Sequence, residues 1–314
     1  MWTQLKLSLT RISKLFLIIL TLVSGLSYFS HSHLSFELLS HFRIQYLWLS
    51  FGLSVVFLFL RQYRFGLLAA VVLSANAYDV VSFFSQTKAN AGGSSSHIKL
   101  VLSNVHSGND RYDEFINFVK AESPDVFIVL EMNRAWLNAL QRLKSQYPYQ
   151  ITRPQNDNFG IGLFSKAPLD SAEIVHIGQA GLPSIKVSSS IGEKPYTLIA
   201  THPLPPINPM FFSDRNQQLE ALADELSLID TPKILMGDLN VTMWSDDYTR
   251  LEASTSMQNT RIGFGVLPTW PAQSSVFGIP IDHCLVSDEF EVLEMKLGAD
   301  IGSDHLPIVM RLGL

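Results

Sequence analysis

A chain of 314 residues that is 47% hydrophobic, with a mean hydropathy of +0.18 and only 16% charged residues, does not have the balance of an ordinary soluble protein, in which roughly a quarter of residues are charged. Its single cysteine, Cys284, excludes an intramolecular disulfide and a cysteine-based zinc site; set in an apolar run, it reads as a buried, inert thiol. Charge divides along the chain. Residues 1–96 hold seven Lys/Arg against two Asp/Glu, and the remainder sixteen against twenty-six, a net of −10, which excludes a broad basic surface for nucleic acid there.

Three apolar stretches come first, at about 12–29, 44–60 and 65–84, each near the 17–25 residues a membrane-crossing helix needs. Lys6, Arg11 and Lys14 precede the first, and Arg61 and Arg64 separate the second from the third. The positive-inside rule then puts the N-terminus and the 61–64 turn in the cytoplasm and everything after Ser85 outside it. No small-x-small site follows Leu26, so the first stretch reads as an uncleaved anchor. Asp79 falls near the outer end of the third stretch, within reach of headgroups and water. Residues 86–97 (QTKANAGGSSSH) have the composition of a flexible linker between an anchor at 1–85 and a soluble domain at 98–314.

The soluble part alternates strand and helix patterns. Strands are expected at 98–105 and 125–130, and helices at 111–122, stopped by Pro124, and at 134–147, with Trp136, Leu137, Leu140 and Leu143 inward. A mainly β stretch follows, with strands at 159–164, 174–177, 184–187 and 196–200. A helix at 213–229 and strands at 233–236, 281–286, 291–296 and 307–311 complete an α/β set: two packed sheets with helices outside.

The chemistry sits where strands end. The run at 126–130 leads into Glu131, the run at 198–200 into Thr201-His202, and the run at 234–237 into Asp238. With Asn104, Asn240, Asp282, Asp304 and His305 they form a set of hard oxygen ligands and imidazoles without thiolate, a donor set suited to magnesium, manganese or calcium. With no HExxH pattern, the two histidines read as acid–base and phosphate-binding groups. Trp244 and Trp270 lie in loops next to these motifs, as packing residues or as platforms for a base or a lipid.

Five segments carry a resemblance: SNV at 103–105, VLEMN at 129–133, ATHPLPP at 200–206, GDLN at 237–240, and PIDHCLVS at 280–287 paired with GSDHLP at 302–307. In this order they resemble the endonuclease/exonuclease/phosphatase superfamily, of deoxyribonuclease-I-like fold. DNFGIGLFS at 157–165 and PTWP at 268–271 are similar to a bacterial membrane-anchored branch of it. The resemblance covers 97–314 and none of the first 90 residues. It implies a four-layer α/β/β/α sandwich, here preceded by three transmembrane helices, and a phosphoester hydrolase using Mg2+ or Mn2+. It further implies Glu131, Asn104 and Asp304 at the metal; His202, Asp238, Asn240, Asp282 and His305 as the catalytic group, with Asp282 orienting His305; and Arg215 and Trp270 at the substrate. The expected partners are a phosphoester (nucleic acid, lipid headgroup or small phosphoester) and the bilayer, with no obligate protein partner; the expected location is the bacterial inner membrane, catalytic domain periplasmic. The competing reading is a catalytically inactive, membrane-tethered scaffold of the same fold, which decayed motifs would mark; these are intact.

Overall fold

The computed structural model describes residues 2–85, 96–274 and 276–314. Most of the expected linker, 86–95, lies outside the described residues. The chain divides into two units: Met1–Ser85 with Trp244–Asp246, and Gln86–Met243 with Asp247–Leu314.

The first unit is helical. Helix α1 (Trp2–Leu26) runs into a 3-10 turn (Ser27–Ser32); α2 (Leu34–Ser40), α3 (Arg43–Phe59) and α4 (Tyr63–Val81) follow. Two segments, Gln4–Ser32 and Tyr63–Phe84, are long and apolar enough to cross a membrane. The second expected span is not one straight helix but half of a bent pair. Helix α3 has 17 residues and rises about 25 Å, short of a hydrocarbon core of about 30 Å. The segment extends only through α2, and α2 and α3 meet at 66°. The break falls at Phe42, whose backbone (φ −102°, ψ 30°) leaves the helical region. The described residues therefore give two spans, or three if the bent pair counts as one.

The helical unit exposes large apolar side chains and buries polar ones beside apolar clusters such as Leu17, Phe57 and Ala69. Phe59 and Leu67 are 80% and 69% exposed, whereas Asn76 and Arg43 are buried. Asn76 donates to Ser24 Oγ at 2.9 Å, and Arg43 Nε lies 3.3 Å from Asp79 Oδ2, which also accepts from the Tyr28 hydroxyl at 2.8 Å. Interhelical polar contacts of this kind hold helices together in a setting where apolar burial gives no preference between neighbour and solvent. Asp79 is thus an ion-pair partner within its unit.

The second unit is built on two six-stranded sheets. The first has the order β11 (Glu291–Leu297), β12 (Ile308–Gly313), β1 (His97–Asn104), β2 (Val126–Leu130), β4 (Ile161–Ser165), β3 (Tyr149–Arg153). The second has the order β5 (Ser171–His176), β6 (Pro183–Ile191), β7 (Lys194–Thr201), β8 (Lys233–Asp238), β10 (Asp282–Val286), β9 (Gln258–Asn259). Alternation sorts the side chains. Leu100, Leu102, Ile128 and Leu130 of the first sheet meet Leu198, Ala200, Ile234 and Met236 of the second in the central core. Val101, Phe127 and Val129 point the other way, onto Phe115 and Val119 of α5 (Tyr112–Glu122) and Trp136 and Leu140 of α6 (Arg134–Leu140). Leu219, Leu222 and Leu226 are the buried stripe of α7 (Pro209–Ser227). Helix α6 stops short of the expected 134–147 by tightening into a 3-10 turn at Gln141–Leu143, and the buried Tyr147 donates to Pro124 O at 2.8 Å.

Each sheet has one parallel pair at its centre, β1 with β2 and β7 with β8. Parallel strands finish together, so Asn104 lies opposite Leu130 and Thr201 opposite Gly237. Antiparallel β10 begins where β8 ends, Asp282 facing Asp238, and β12 starts with Ile308 against Leu102. One edge of the sandwich therefore receives Asn104, Glu131, His202, Asp238, Asp282 and the segment that carries His305.

Helix α8 (Asp246–Thr255), absent from the sequence reading, carries Glu252. Burial raises its carboxyl to about 7, against an opposing hydrogen bond from the Asn259 amide. A folded value above the unfolded one makes a contribution present below about pH 4.5 and lost as pH rises through 7. Glu252→Gln keeps the acceptor without the charge. It should raise the Tm at pH 8.5, by the equivalent of about 2 kcal/mol after discounting for partial exposure, and leave it unchanged at pH 5. Equal Tm gains at both pH values would contradict this.

Candidate active site

The buried polar edge is organised by Asn104, at the end of β1. Its Nδ2 donates to Glu131 Oε1 at 3.0 Å and to Asp238 Oδ2 at 3.1 Å, so one amide bridges two carboxylates from different sheets. Its Oδ1 accepts from the His106 amide at 3.0 Å, which fixes the amide's orientation. Glu131 Oε2 accepts from the Ser107 amide at 3.0 Å. Glu131 itself has a left-handed backbone, φ 58°, as does Asn240, φ 51°. For an L-residue other than Asn or Asp this conformation is uncommon, and it turns the carboxylate back over the strand end.

Asp238 sits between two imidazoles. His202 Nε2 is 3.4 Å and His305 Nε2 3.6 Å from Asp238 Oδ2, and the Asn240 amide donates to Oδ1 at 3.1 Å. Burial would raise the Asp238 carboxyl, but His305, His202 and the Asn104 amide outweigh it and hold it at about 2. His305 Nδ1 meets Asp282 Oδ2 at 2.8 Å, an aspartate–imidazole pair that fixes the tautomer. Burial alone would lower His305, but Asp282 first and Asp238 next lift it to about 10. His202 rises too: desolvation opposes the shift, and the contact with Asp238 prevails.

The edge is rich in negative charge. Glu131, Asp238, Asp282 and Asp304 face two imidazoles, leaving an excess of two charges even with both rings protonated. Asp282 Oδ1 and Asp304 Oδ1 are buried without a hydrogen-bond partner. Orphaned carboxylate oxygens in a thiolate-free setting fit a hard divalent cation such as Mg2+ or Mn2+. Among the described residues, Asp238, Asp282 and His305 each offer one ligand atom, all within 4.8 Å of one another. That trio differs from the expected Asn104, Glu131 and Asp304. Within the trio, Asp282 Oδ2 and His305 Nδ1 are already joined to each other at 2.8 Å, while Asp282 Oδ1 is left without a partner.

Two residues expected at the substrate occupy different settings. Arg215 is fully buried, donating to Asn240 O at 2.9 Å and Asn216 Oδ1 at 2.7 Å, so it braces the GDLN turn from beneath. Trp270 is 38% exposed at the rim, its indole donating to Asp304 Oδ2 at 3.1 Å. Asn240 donates to Pro203 O at 3.0 Å, tying the GDLN turn to the segment that follows His202.

Sequence reasoning missed several supports. Ser303 Oγ donates to Asn104 O at 2.8 Å and accepts from the His305 amide at 3.1 Å, linking the two halves of the site. The ring of Phe159 lies 5.4 Å from that of His202. Buried Arg261 donates to Asp282 O at 2.6 Å and to Val266 O at 2.8 Å, with its Nη1 3.2 Å from His283 Nδ1. Burial, then Arg261, lowers His283 to about 3, so the ring is neutral, accepts from Arg261 and donates to Val241 O at 2.7 Å. One signal was available: Arg261 is the single charged residue between Glu252 and Asp282.

The close approach of β7 and β8 needs Gly237, since a Cβ there would meet Thr201 O at 2.2 Å. Gly237→Ala should destabilise the fold by about 1–3 kcal/mol and separate His202 from Asp238. Thermal unfolding and turnover should fall together; a wild-type Tm would refute the packing argument.

A family model described as Endonuclease/Exonuclease/phosphatase family matches residues 90–305. Among proteins with curated descriptions, none matches the chain. Solved structures do. An endonuclease/exonuclease/phosphatase from Beutenbergia cavernae is 19% identical, with 70% of this chain and 72% of that one covered at a TM-score of 0.58. One from Bacteroides vulgatus is 17% identical, with 69% and 99% covered at 0.59. D. rerio TDP2 complexed with a single-strand DNA product is 15% identical, with 69% and 99% covered at 0.58. At these identities the structures speak for the fold. The family match spans well over half the chain, and with the edge it encloses it makes this chain a member of the endonuclease/exonuclease/phosphatase family.

Proposed function

We propose that the chain is a membrane-anchored, divalent-metal-dependent phosphodiester hydrolase working outside the cytoplasm. The observation that carries this is the convergence of Asn104, Glu131, His202, Asp238, Asp282 and His305 on one buried edge, with a single amide joining carboxylates of the two sheets. Glu131, with Asn104 and Asp304, would hold a Mg2+ or Mn2+ ion, which would supply charge neutralisation at the phosphate. The chain's own residues do the rest. Asp238, an acceptor held ionised among two imidazoles and the Asn104 amide, takes the proton from the attacking water. His305, backed by Asp282, donates through Nε2 to a phosphoryl or leaving-group oxygen, and His202 donates from the other side. Arg215 and Asn240 keep the GDLN turn fixed beneath them.

The two apolar segments support the anchor, and with the bent pair of α2 and α3 as a third crossing the lysine and arginine distribution supports an extracytoplasmic catalytic unit. The net charge of −10 weighs against long nucleic acid as substrate, although a TDP2 relative is complexed with single-strand DNA product. The full chain in detergent, with and without Mn2+, should hydrolyse bis(p-nitrophenyl) phosphate only when metal is present. The Asp238→Ala/His305→Ala double variant should not. Equal activity of this variant, or none from folded, metal-loaded parent on diester, DNA, RNA and phospholipid, would favour the scaffold reading.

A further inference from the structure

Exposed apolar side chains in the catalytic unit are not scattered. Among its described residues seven large hydrophobics are exposed: Tyr149, Ile207, Met210, Leu228, Trp270, Val276 and Phe277. Five of the seven sit on two segments that leave the buried polar edge, the 203–210 stretch running into the first turn of α7 and the 270–277 loop. Ile207 and Met210, 72% and 63% exposed, lie on the segment that follows His202 and is tied to Asn240 through Pro203. Trp270, Val276 and Phe277, the last two 67% and 64% exposed, lie on a loop held against the segment bearing His305, by Trp270 Nε1 to Asp304 Oδ2 and Ala272 N to Asp304 O. The other two lie at the far edge. Tyr149 pairs with Ser165, which faces the start of β2, and Leu228 ends α7, about 27 Å along the helix from its start.

Isolated exposed apolar residues are normal on a protein surface; a set gathered on one edge marks an interaction site. Charge points the same way. Residues 203–213 and 262–281 contain no Asp, Glu, Lys or Arg, in a unit whose net charge is −10. Such a rim meets a partner by apolar insertion without ion pairing. The chain supplies one such partner permanently. Its apolar helices end at Ser85, and the catalytic unit is described from Ser96. The rim and the membrane-length helices therefore belong to one chain.

We infer that these two segments form a bilayer-docking rim and that the substrate is a membrane phospholipid. This rests on the phosphodiesterase reading above. Ile207, Met210, Val276 and Phe277 enter the boundary between headgroups and acyl chains on either side of the site, and Trp270 lies at headgroup level. That brings the carboxylate–imidazole cluster to the depth of the lipid phosphates. A water oxygen attacks phosphorus, one ester P–O bond breaks, and the leaving alcohol oxygen takes a proton, giving an alcohol and a phosphomonoester. An apolar contact of this kind depends weakly on salt.

The test uses the full chain reconstituted into phosphatidylcholine/phosphatidylethanolamine liposomes. Ile207→Cys, Phe277→Cys and, as far-edge control, Leu228→Cys are labelled with an environment-sensitive fluorophore; the native Cys284 is buried and does not compete. Labels at 207 and 277 should be quenched several-fold more than at 228 by nitroxide lipids, at 0.05 and 0.5 M salt alike. The Ile207→Ser/Met210→Ser/Phe277→Ser variant should lose at least 10-fold in hydrolysis of vesicle phospholipid while keeping bis(p-nitrophenyl) phosphate hydrolysis within 2-fold. Quenching at 207 and 277 no greater than at 228, or undiminished phospholipid hydrolysis by the triple variant, overturns the inference. So does a parent chain that cleaves the soluble diester, or single-stranded nucleic acid, but no vesicle lipid; the phosphodiesterase reading then survives. A parent inactive on every substrate removes that reading, and the quenching pattern still decides whether the rim docks.

Discussion

His305→Ala should lower turnover of a phosphodiester by about 10³–10⁴-fold with little change in Tm, because it removes a group that acts on the reacting oxygens from an edge built by backbone. The ring is held at Nδ1 by Asp282 Oδ2, with Asp238 Oδ2 3.6 Å from Nε2, while the main chain around it is fixed independently through Ser303 and Asn104. Its loss leaves Asp282 buried beside Arg261, which still donates to the Asp282 carbonyl, so the local fold has a reason to survive. Asp282→Asn should give a smaller loss, since it keeps the geometry and removes the charge supporting the imidazolium. Steady-state kinetics beside thermal unfolding check both. A His305→Ala protein within 10-fold of the parent would remove His305 from the mechanism, and a large fall in Tm would recast it as structural.

Glu131→Ala carries the second large effect. Glu131 is the carboxylate that Asn104 and the Ser107 amide hold in place, in a pocket already two negative charges in excess. Its removal should weaken Mn2+ binding by at least about 100-fold and lower activity at fixed metal accordingly. Ligand-linked stability gives a readout independent of catalysis. At a metal concentration of 100 Kd the parent gains about 2.7 kcal/mol, and the variant should gain almost nothing. In metal-free buffer the variant should be at least as stable as the parent, because it relieves carboxylate repulsion. A variant stabilised by Mn2+ as strongly as the parent would move the ion to Asp238, Asp282 and His305.

The strands that end in chemistry were legible because each is a short apolar run halted by one polar residue, as at Val126–Leu130 before Glu131 and Lys233–Asp238. What escaped was carried by other signals. Strand β3 is only half-buried, so its pattern is weak, and β9 has two residues. Helix α8 is polar and reads as loop by composition. Span counting met a geometric limit, since hydropathy records that residues near 44–60 are apolar and says nothing of the 66° bend that precedes them. The polar residues that meet at this edge could be named from the strand ends; supports such as Ser303 and Arg261 could not, because they act through backbone carbonyls that no side-chain pattern reveals. Arg215 shows the converse: its helix position was right, and its burial gave it a different task.

The left-handed backbone of Glu131 has a consequence for how such an enzyme evolves in the laboratory. A glycine there would sit in the same conformation without the roughly 1–2 kcal/mol that a side chain costs it. A library screened for heat resistance alone should therefore enrich Glu131→Gly, and each clone carrying it would be a sturdier, inert protein. If Glu131 holds the metal as proposed, selection for turnover in this chain would have to restore the acid against that gradient.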